Sequence, residues 1–236
     1  MRAPAAMALL LASVAPLAAQ RGKESASDLF HSEVGLIVSS KASRSKFQTA
    51  RKSTVSIMLG LRYRLCKVSG SQTTDLDPDC ASLRPGDLLR LGLEINDTGY
   101  LYIVQRQASG AWRRVFPDPE IERGNHFIHS GVTYAIPLEE GLTLQFPGGA
   151  ERLLLVLSRE PVKELESLVS PPQAVNTVSA APPPEVSEAT LAGVRKLLIP
   201  RDLLTEKVAE EKAAYVVNRS GRPDSLIVHE IRLPGR

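Results

Sequence analysis

Residues 55–65 read VSIMLGLRYRL, and every second residue of this stretch is apolar. Successive side chains of a β-strand point to opposite faces, so a period of two predicts a strand with one buried face. Residues 89–95 repeat the pattern, because Leu89, Leu91, Leu93 and Ile95 alternate with other residues. These two stretches predict strands of a half-buried sheet.

Further short apolar runs follow, separated by turn residues. Residues 96–99 read NDTG, a turn by composition, and the glycine allows the positive φ that such a turn can require. Residues 100–105 are apolar on both faces, as in a sheet covered on both sides. Other strands are predicted at residues 112–116, 132–136, 142–146, 152–158, 213–217 and 226–233. This spacing predicts a mainly β fold, an antiparallel β-sandwich or barrel-like domain.

The irregular and helical segments complete this reading. Residues 69–85 collect Ser, Gly, Asp and Pro and are predicted to be a loop, and residues 171–184 contain five prolines among alanine and serine. Leu191, Val194, Leu197 and Leu198 form one stripe of a helix over residues 187–198. Residues 201–211 are a candidate second helix. We therefore expect one or two short C-terminal helices.

The N-terminus has the pattern of a cleaved signal peptide. Arg2 supplies a positive charge, residues 5–17 are a short apolar run, and residues 17–19 read LAA before Gln20. We predict a signal peptide at 1–19, a polar lead-in at 20–53, and a single mainly β domain at 54–236 with a Pro-rich loop at 171–186. No second long apolar run follows, so we expect no transmembrane segment after cleavage and a periplasmic or secreted protein.

Charge and cysteine content narrow the class of protein. Its 29 basic and 26 acidic residues leave a net charge of +3, without the concentrated basic face of a nucleic-acid-binding protein. The two cysteines, Cys66 and Cys80, are permitted to form a disulfide in an oxidising compartment. Two unpaired thiols are the alternative.

Metal-binding patterns are incomplete. His126 and His129 are three residues apart in a stretch predicted to be strand or loop, where they would point to opposite faces, so we expect two surface histidines and no zinc site. Residues 75–79 read DLDPD, the opening spacing of a calcium loop. The sixth position is Cys80 and the twelfth is Gly86, where the motif needs Gly and Glu. We expect no metal and no cofactor.

The sequence holds no nucleophile elbow, phosphate-binding loop or dinucleotide fingerprint. The carboxylates Asp118, Glu120 and Glu122 cluster in one predicted loop, near His126. Acid–base catalysis needs two carboxylates in distinct environments across a cleft, and loop carboxylates are usually only solvated. No catalytic residue is assigned.

Eight segments of the chain form a recognisable ordered set: RPGDLLRL at 84–91, NDTGYLYIV at 96–104, VFPDPEI at 115–121, YAIP at 134–137, FPGGAER at 146–152, VLSREP at 156–161, EKAAYVVN at 211–218 and IVHEI at 227–231. This set resembles a bacterial family called domain of unknown function 4384. The resemblance covers roughly residues 54–233. It implies an accessory β domain of exported or envelope proteins with no established activity.

Two functions follow from these observations. The first is an exported, non-enzymatic module that binds a protein partner in the bacterial cell envelope. The alternative is a secreted hydrolase with a carboxylate-based site near Asp118 and His126. An exposed apolar cluster would favour the first, and a deep cleft around these residues would favour the second.

Overall fold

The computed structural model describes residues 25–32, 58–77, 79, 83–84, 86–107, 109–118, 124–136, 144–146, 152–169, 185–197 and 200–233. Over these residues the chain is mainly β, with few short helices. In chain order the helices and strands are α1 (Ala26–His31), β1 (Leu59–Ser69), β2 (Gln72–Asp75), β3 (Asp87–Ile95), β4 (Gly99–Arg106), β5 (Trp112–Phe116), β6 (Phe127–Ile128), β7 (Tyr134–Ile136), β8 (Leu144–Phe146), β9 (Arg152–Ser158), β10 (Glu185–Val186), α2 (Glu188–Leu197), β11 (Leu203–Val208), β12 (Ala213–Asn218) and β13 (Leu226–Arg232).

The strands form two antiparallel sheets. The first sheet has the order β11-β12-β1-β3-β7, with β2 also paired to β1 and β8 to β3. The second sheet has the order β10-β5-β4-β9-β13, with β6 also paired to β4. All of these pairs are antiparallel, and the described strands do not close into a barrel. The sandwich prediction is therefore confirmed.

The main core lies between the two sheets, as the alternation in the sequence predicts. Leu59, Leu61 and Leu65 of β1 face inward together with Leu91 and Leu93 of β3, and none is more than 3% exposed. The second sheet contributes the inward residues of β4, β9 and β13, which are Leu101, Ile103, Leu153, Leu155, Leu157, Ile227 and Ile231. Burial of these two matched faces is the main hydrophobic contribution to the fold.

The outer face of the second sheet is covered by its own chain. Tyr102, Val104 and Trp112 point outward from β4 and β5 into a second cluster. The turn at residues 162–169 and helix α2 cover it with Val162, Leu165, Leu168, Leu191 and Val194. This explains why β4 is apolar on both faces: one face meets the first sheet and the other meets the turn and α2.

Helix α2 begins and docks through specific contacts. The Ser187 hydroxyl accepts a hydrogen bond from the amide of Thr190 at 3.0 Å, a helix N-cap. Trp112 Nε1 donates to the Glu188 carboxylate at 2.6 Å, and Arg195 lies 5.5 Å from the centre of the Trp112 ring. These contacts fix the helix over the second sheet.

The outer face of the first sheet is covered in part by α1. Ala26 and Phe30 of this helix are buried against Tyr215 and Val217 of β12. Ser25 caps the helix by accepting a hydrogen bond from the amide of Asp28 at 2.9 Å. Helix α1 lies inside the segment 20–53 that the sequence assigned to a polar lead-in.

Several elements differ from the sequence-based expectations. Residues 201–211 do not form a second helix: Pro200–Asp202 is a 3-10 turn, and the chain then enters β11, because pairing with β12 outweighs local propensity. The predicted loop at 69–85 contains β2, which pairs with β1 in a hairpin. Residues 185 and 186, assigned to the Pro-rich loop, form β10 on β5. The signal peptide and residues 171–184 lie outside the described residues.

Gly99 has a different role from the one expected of a turn glycine. Its φ is not positive, but a Cβ at this position would lie 2.5 Å from the carbonyl oxygen of Ser158. Strand β4 starts here in register with the end of β9, since Tyr100 is paired with Ser158. Glycine is therefore required by the close approach of two backbones.

Candidate functional site

His126 is the predicted site residue with the richest surroundings. It is 8% exposed, immediately before β6, so the expectation of a surface histidine is wrong for this residue. Its ring lies 5.1 Å from that of Tyr100 and 5.0 Å from that of Tyr102. His129 directly follows β6 and is exposed. Among the described residues, no group of His, Cys, Asp and Glu is suited to hold a metal ion.

The acidic partner of His126 comes from the turn after β9. His126 Nε2 lies 3.2 Å from Glu166 Oε1. The Tyr102 hydroxyl donates a short hydrogen bond to the same carboxylate oxygen and accepts one from the amide of Val162 at 3.1 Å. Arg114 Nη1 donates to the carbonyl oxygen of Leu168 at 2.5 Å. We call His126, Tyr102, Glu166 and Arg114 the clamp.

The protonation states of the clamp residues favour stable hydrogen bonds that hold the fold together. Burial, and secondly the Glu166 carboxylate, raise the pKa of Tyr102, so its hydroxyl keeps its proton and acts as a donor. Burial lowers the pKa of Arg114, while the negative charge of Asp118 acts in the opposite direction. The raised pKa of Tyr102 is the opposite of the lowered pKa that favours a nucleophile. What the clamp does is hold the turn at 162–169 onto the second sheet.

The other predicted carboxylates do not add to this geometry. Asp118 lies two residues after the end of β5, and its negative charge acts to raise the pKa of Arg114. Glu120 and Glu122 lie outside the described residues. Glu166 was missed by sequence reasoning, although the apolar spacing of Val162, Leu165 and Leu168 could have indicated a turn packed on the sheet.

Cys66 lies on β1, and its thiol donates a hydrogen bond to the Asp75 carboxylate at 3.0 Å. Burial and then this hydrogen bond raise the pKa of Cys66 to about 12, so the thiol is protonated at neutral pH. Asp75 also forms an ion pair with Arg64 at 3.6 Å. One carboxylate of the DLDPD stretch at residues 75–79 is therefore bound by groups of the protein itself. Cys80 lies outside the described residues, and the disulfide stays a prediction.

A third site is the groove that receives α1, which we call the α1 groove. Its floor consists of apolar residues from β1, β11 and β12 and the residue before β1: Met58, Gly60, Leu204, Val208, Ala213, Tyr215 and Val217. The Phe30 ring sits over Gly60, where an added Cβ would lie 2.9 Å from Phe30 Cδ2. Phe30 is 6% exposed and Ala26 is fully buried. The groove therefore encloses one face of a short helix.

Polar contacts line the rim of the α1 groove. The backbone amide of Ser27 donates to the Glu206 carboxylate at 2.9 Å. His31 Nε2 lies 3.1 Å from the Tyr215 hydroxyl, which donates a short hydrogen bond to Glu211. A hydrogen bond from Tyr215, and secondly the charge of Arg62, keep the pKa of Glu211 below its usual value. Both ends of α1 are thus recognised by hydrogen-bonding groups.

The sequence contains a local signal for the start of α1. Ser25 and Asp28 are three residues apart and precede Leu29 and Phe30, the spacing of a capping box before an apolar pair. That motif marks a helix start. It does not show where the helix docks, because most of the floor comes from β11 and β12, and Ser27 meets Glu206 of β11 across 179 residues of the chain.

A shallow depression lies on the first sheet beside the α1 groove. It is lined by Arg62, Arg64, Gly92, Glu94 and Thr133, with an empty volume of about 160 Å³ that includes open solvent. Small-molecule sites usually enclose roughly 300–1,000 Å³. Arg62 is paired with Glu94 at 3.3 Å and with Glu211 at 3.0 Å, so its charge is already balanced.

These features define a two-sheet antiparallel sandwich: α1 covers part of one outer face, and α2 and the clamped turn cover the other. Residues 82–161 match the model of the family described as "Domain of unknown function (DUF4384)", which confirms the resemblance over that segment. The match spans β3 to β9 and leaves the α1 groove outside it. No curated protein matches the chain, and no solved structure does. None of the helices in the described part is long and apolar enough to cross a membrane.

Proposed function

We propose that this protein is an exported, non-enzymatic accessory module that binds a protein partner in the bacterial cell envelope. The observation that carries the proposal is the α1 groove, in which the chain's own six-residue helix is bound in the way that a peptide ligand would be. Laying an apolar helix face into a groove is a recurrent mode of peptide recognition.

The helix depends on the groove for its structure. Isolated helices shorter than about 12 residues are marginal in water, because nucleation is costly. The six residues of α1 therefore owe their conformation to the contacts of Phe30 and Ala26 and to the acceptor Glu206. A surface that orders a short segment in this way has the properties of a peptide-binding site.

The envelope location rests on the N-terminal sequence. A positive residue, a short apolar run and small residues before Gln20 have the order of a secretory signal. The accessory role is what the resemblance to DUF4384 implies, and the matched segment, residues 82–161, covers about a third of the chain. Immunoblotting of periplasmic and culture fractions, with N-terminal sequencing of the mature protein, tests this part of the proposal.

One observation favours the alternative function, a secreted hydrolase. His126 and Glu166 are within hydrogen-bonding distance, and the Glu166 side chain is 39% exposed. A histidine and a partly exposed carboxylate are groups that acid–base catalysis uses. Hydrolysis of ester, peptide or glycoside substrates that is lost in His126→Gln, with the fold retained, would establish this alternative.

The binding proposal is tested by in-cell cross-linking with an affinity-tagged full chain, followed by mass spectrometry. The proposal expects one stoichiometric envelope protein that is captured by wild type and by the variant Phe127→Ala. Phe127 is half-buried against Tyr100, away from the α1 groove, which makes it a matched aromatic control. Failure of all baits to enrich any protein above an unrelated exported control would overturn the proposal.

A further inference from the structure

We infer that the shallow depression on the outer face of the first sheet receives one aromatic side chain of the protein partner. We call it the Gly92 depression, and its lining includes Arg62, Arg64, Gly92, Glu94 and Thr133. This inference rests on the proposed binding function. It adds a contact outside the α1 groove and states the chemistry of the partner at that contact.

The glycine at the floor of the depression is not required by the fold. Gly92 lies inside β3, and its φ is not positive. A Cβ at this position would lie 3.9 Å from the nearest described atoms, the Cβ and carbonyl oxygen of Arg64, which is an ordinary van der Waals distance. Glycine weakens the interior of a strand, and it often marks a place where a ligand or another chain approaches the backbone closely. Its presence therefore points to an approach from outside.

The same face of the sheet shows what covers a glycine of this kind. Gly60 of β1 also points outward, and a Cβ there would lie 2.9 Å from Phe30 Cδ2, because the Phe30 ring covers it. An aromatic ring compensates for a glycine in a sheet by packing on its bare backbone. At Gly92, the described residues place only atoms of Arg64 within 4 Å of the Cβ position. The floor that Phe30 covers at Gly60 is thus left open at Gly92.

The walls of the depression favour a flat group. Arg64 is the cross-strand neighbour of Gly92, and Arg62 lies two residues earlier on β1. A planar guanidinium stacks on the face of an aromatic ring and attracts its electrons. Arg62 already makes such a contact on this sheet, since its Cζ lies 5.7 Å from the centre of the Tyr215 ring. An incoming ring would meet guanidinium groups on the walls and glycine on the floor.

The charges of the depression favour an uncharged ligand. Arg62 is paired with Glu94 at 3.3 Å and with Glu211 at 3.0 Å. Arg64 is paired with Asp75 at 3.6 Å. A further carboxylate would be repelled by Glu94, and a cation would be repelled by the two arginines. The empty volume of about 160 Å³, open solvent included, suits a single side chain better than a whole small-molecule ligand.

Photo-cross-linking in cells of the native host tests the inference. Benzoylphenylalanine replaces Val132 in the full chain, a residue that is 44% exposed and directly precedes Thr133 of the wall. We expect one cross-linked partner segment that contains Phe, Tyr or Trp, identified by mass spectrometry of the linked peptide. Adding Gly92→Val, which fills the depression, should lower the yield of this product at least about tenfold, because a buried aromatic anchor carries much of a binding energy.

Matched variants separate a filled depression from a damaged fold. Valine suits a strand, so Gly92→Val should melt at or above the wild-type temperature. Gly92→Ala, which adds only a Cβ at an unstrained distance, is the second variant and should give a smaller loss of yield. Gly193→Ala on α2 has the same 3.9 Å clearance, to Glu164 Cγ, and should keep the full yield. Arg64→Lys keeps the charge but loses the planar group, so an intermediate yield is expected.

The outcomes distinguish this inference from the proposed function. Unchanged yield in folded Gly92→Val, a linked segment without an aromatic residue, or a product within the chain or between two copies of it overturns the inference. If the tagged chain captures a partner to which position 132 does not link, the binding function stands and the Gly92 depression is not a contact. If neither experiment identifies a partner, both proposals fail.

Discussion

A pair formed by half-buried His229 and buried Tyr63 makes stability depend on pH. His229 of β13 and Tyr63 of β1 both point into the core between the sheets, with His229 Nε2 3.0 Å from the Tyr63 hydroxyl. Burial, and secondly the positive charge of Lys207, lower the pKa of His229 from 6.5 to about 4. The imidazole is therefore neutral in the folded protein at physiological pH and can accept the hydroxyl proton.

The free energy of unfolding should fall as the solution becomes acidic. The unfolded chain takes up a proton near pH 6.5, whereas folded His229 resists protonation down to about pH 4. The stability associated with neutral His229 is thus fully present above 6.5 and is lost between 6.5 and 4. At about 1.4 kcal/mol for each pKa unit, the full loss is about 3 kcal/mol, of which about 2 kcal/mol appears between pH 7 and pH 5.

Urea denaturation at pH 7 and pH 5, followed by the fluorescence of Trp112, measures this difference. The control is His229→Gln, which retains an amide able to bond Tyr63 but does not titrate. Asp87, Glu188 and Glu211 also have lowered pKa values, and their contributions are lost mainly below pH 4.5. The reasoning is refuted if His229→Gln loses as much stability as wild type between pH 7 and pH 5.

Three further predictions concern single positions. Gly99→Ala should destabilise the fold by about 2 kcal/mol or more, since its Cβ would meet the Ser158 carbonyl at 2.5 Å; a melting temperature equal to wild type would contradict this. Glu166→Ala should cost about 1–3 kcal/mol in urea unfolding, because two buried donors of the clamp lose their acceptor. Because the pKa of Cys66 is raised, its thiol should resist alkylation by iodoacetamide at pH 7.5 in the folded protein. It should react once the protein is unfolded in urea without reductant, and intact-protein mass spectrometry measures the added mass. Labelling that needs reductant as well as urea would instead demonstrate a bridge to Cys80.

The architecture followed largely from local patterns. Period-two alternation located β1 and β3, and the apolar character of both faces of β4 indicated a sheet covered on two sides. Such patterns are readable because each strand must bury one or both faces whatever its partners are. Local patterns also made residues 201–211 a candidate helix. In the structure Leu203–Val208 form β11 instead, because this segment pairs with β12.

The candidate sites depend on contacts that no local pattern contains. His126 meets Glu166 across 40 residues, Tyr63 meets His229 across 166, and Ser27 meets Glu206 across 179. The sequence by itself determined which segments become strands, where chain reversals fall and that both faces of the central strand are covered. Only the tertiary structure decided which strand lies beside which. That strand order places the Glu166 carboxylate beside the buried His126, and it places the apolar residues of β1, β11 and β12 under the short helix α1. The physical reason is that side-chain periodicity acts over a few residues, whereas strand order is set by the joint burial of surfaces distant in the chain.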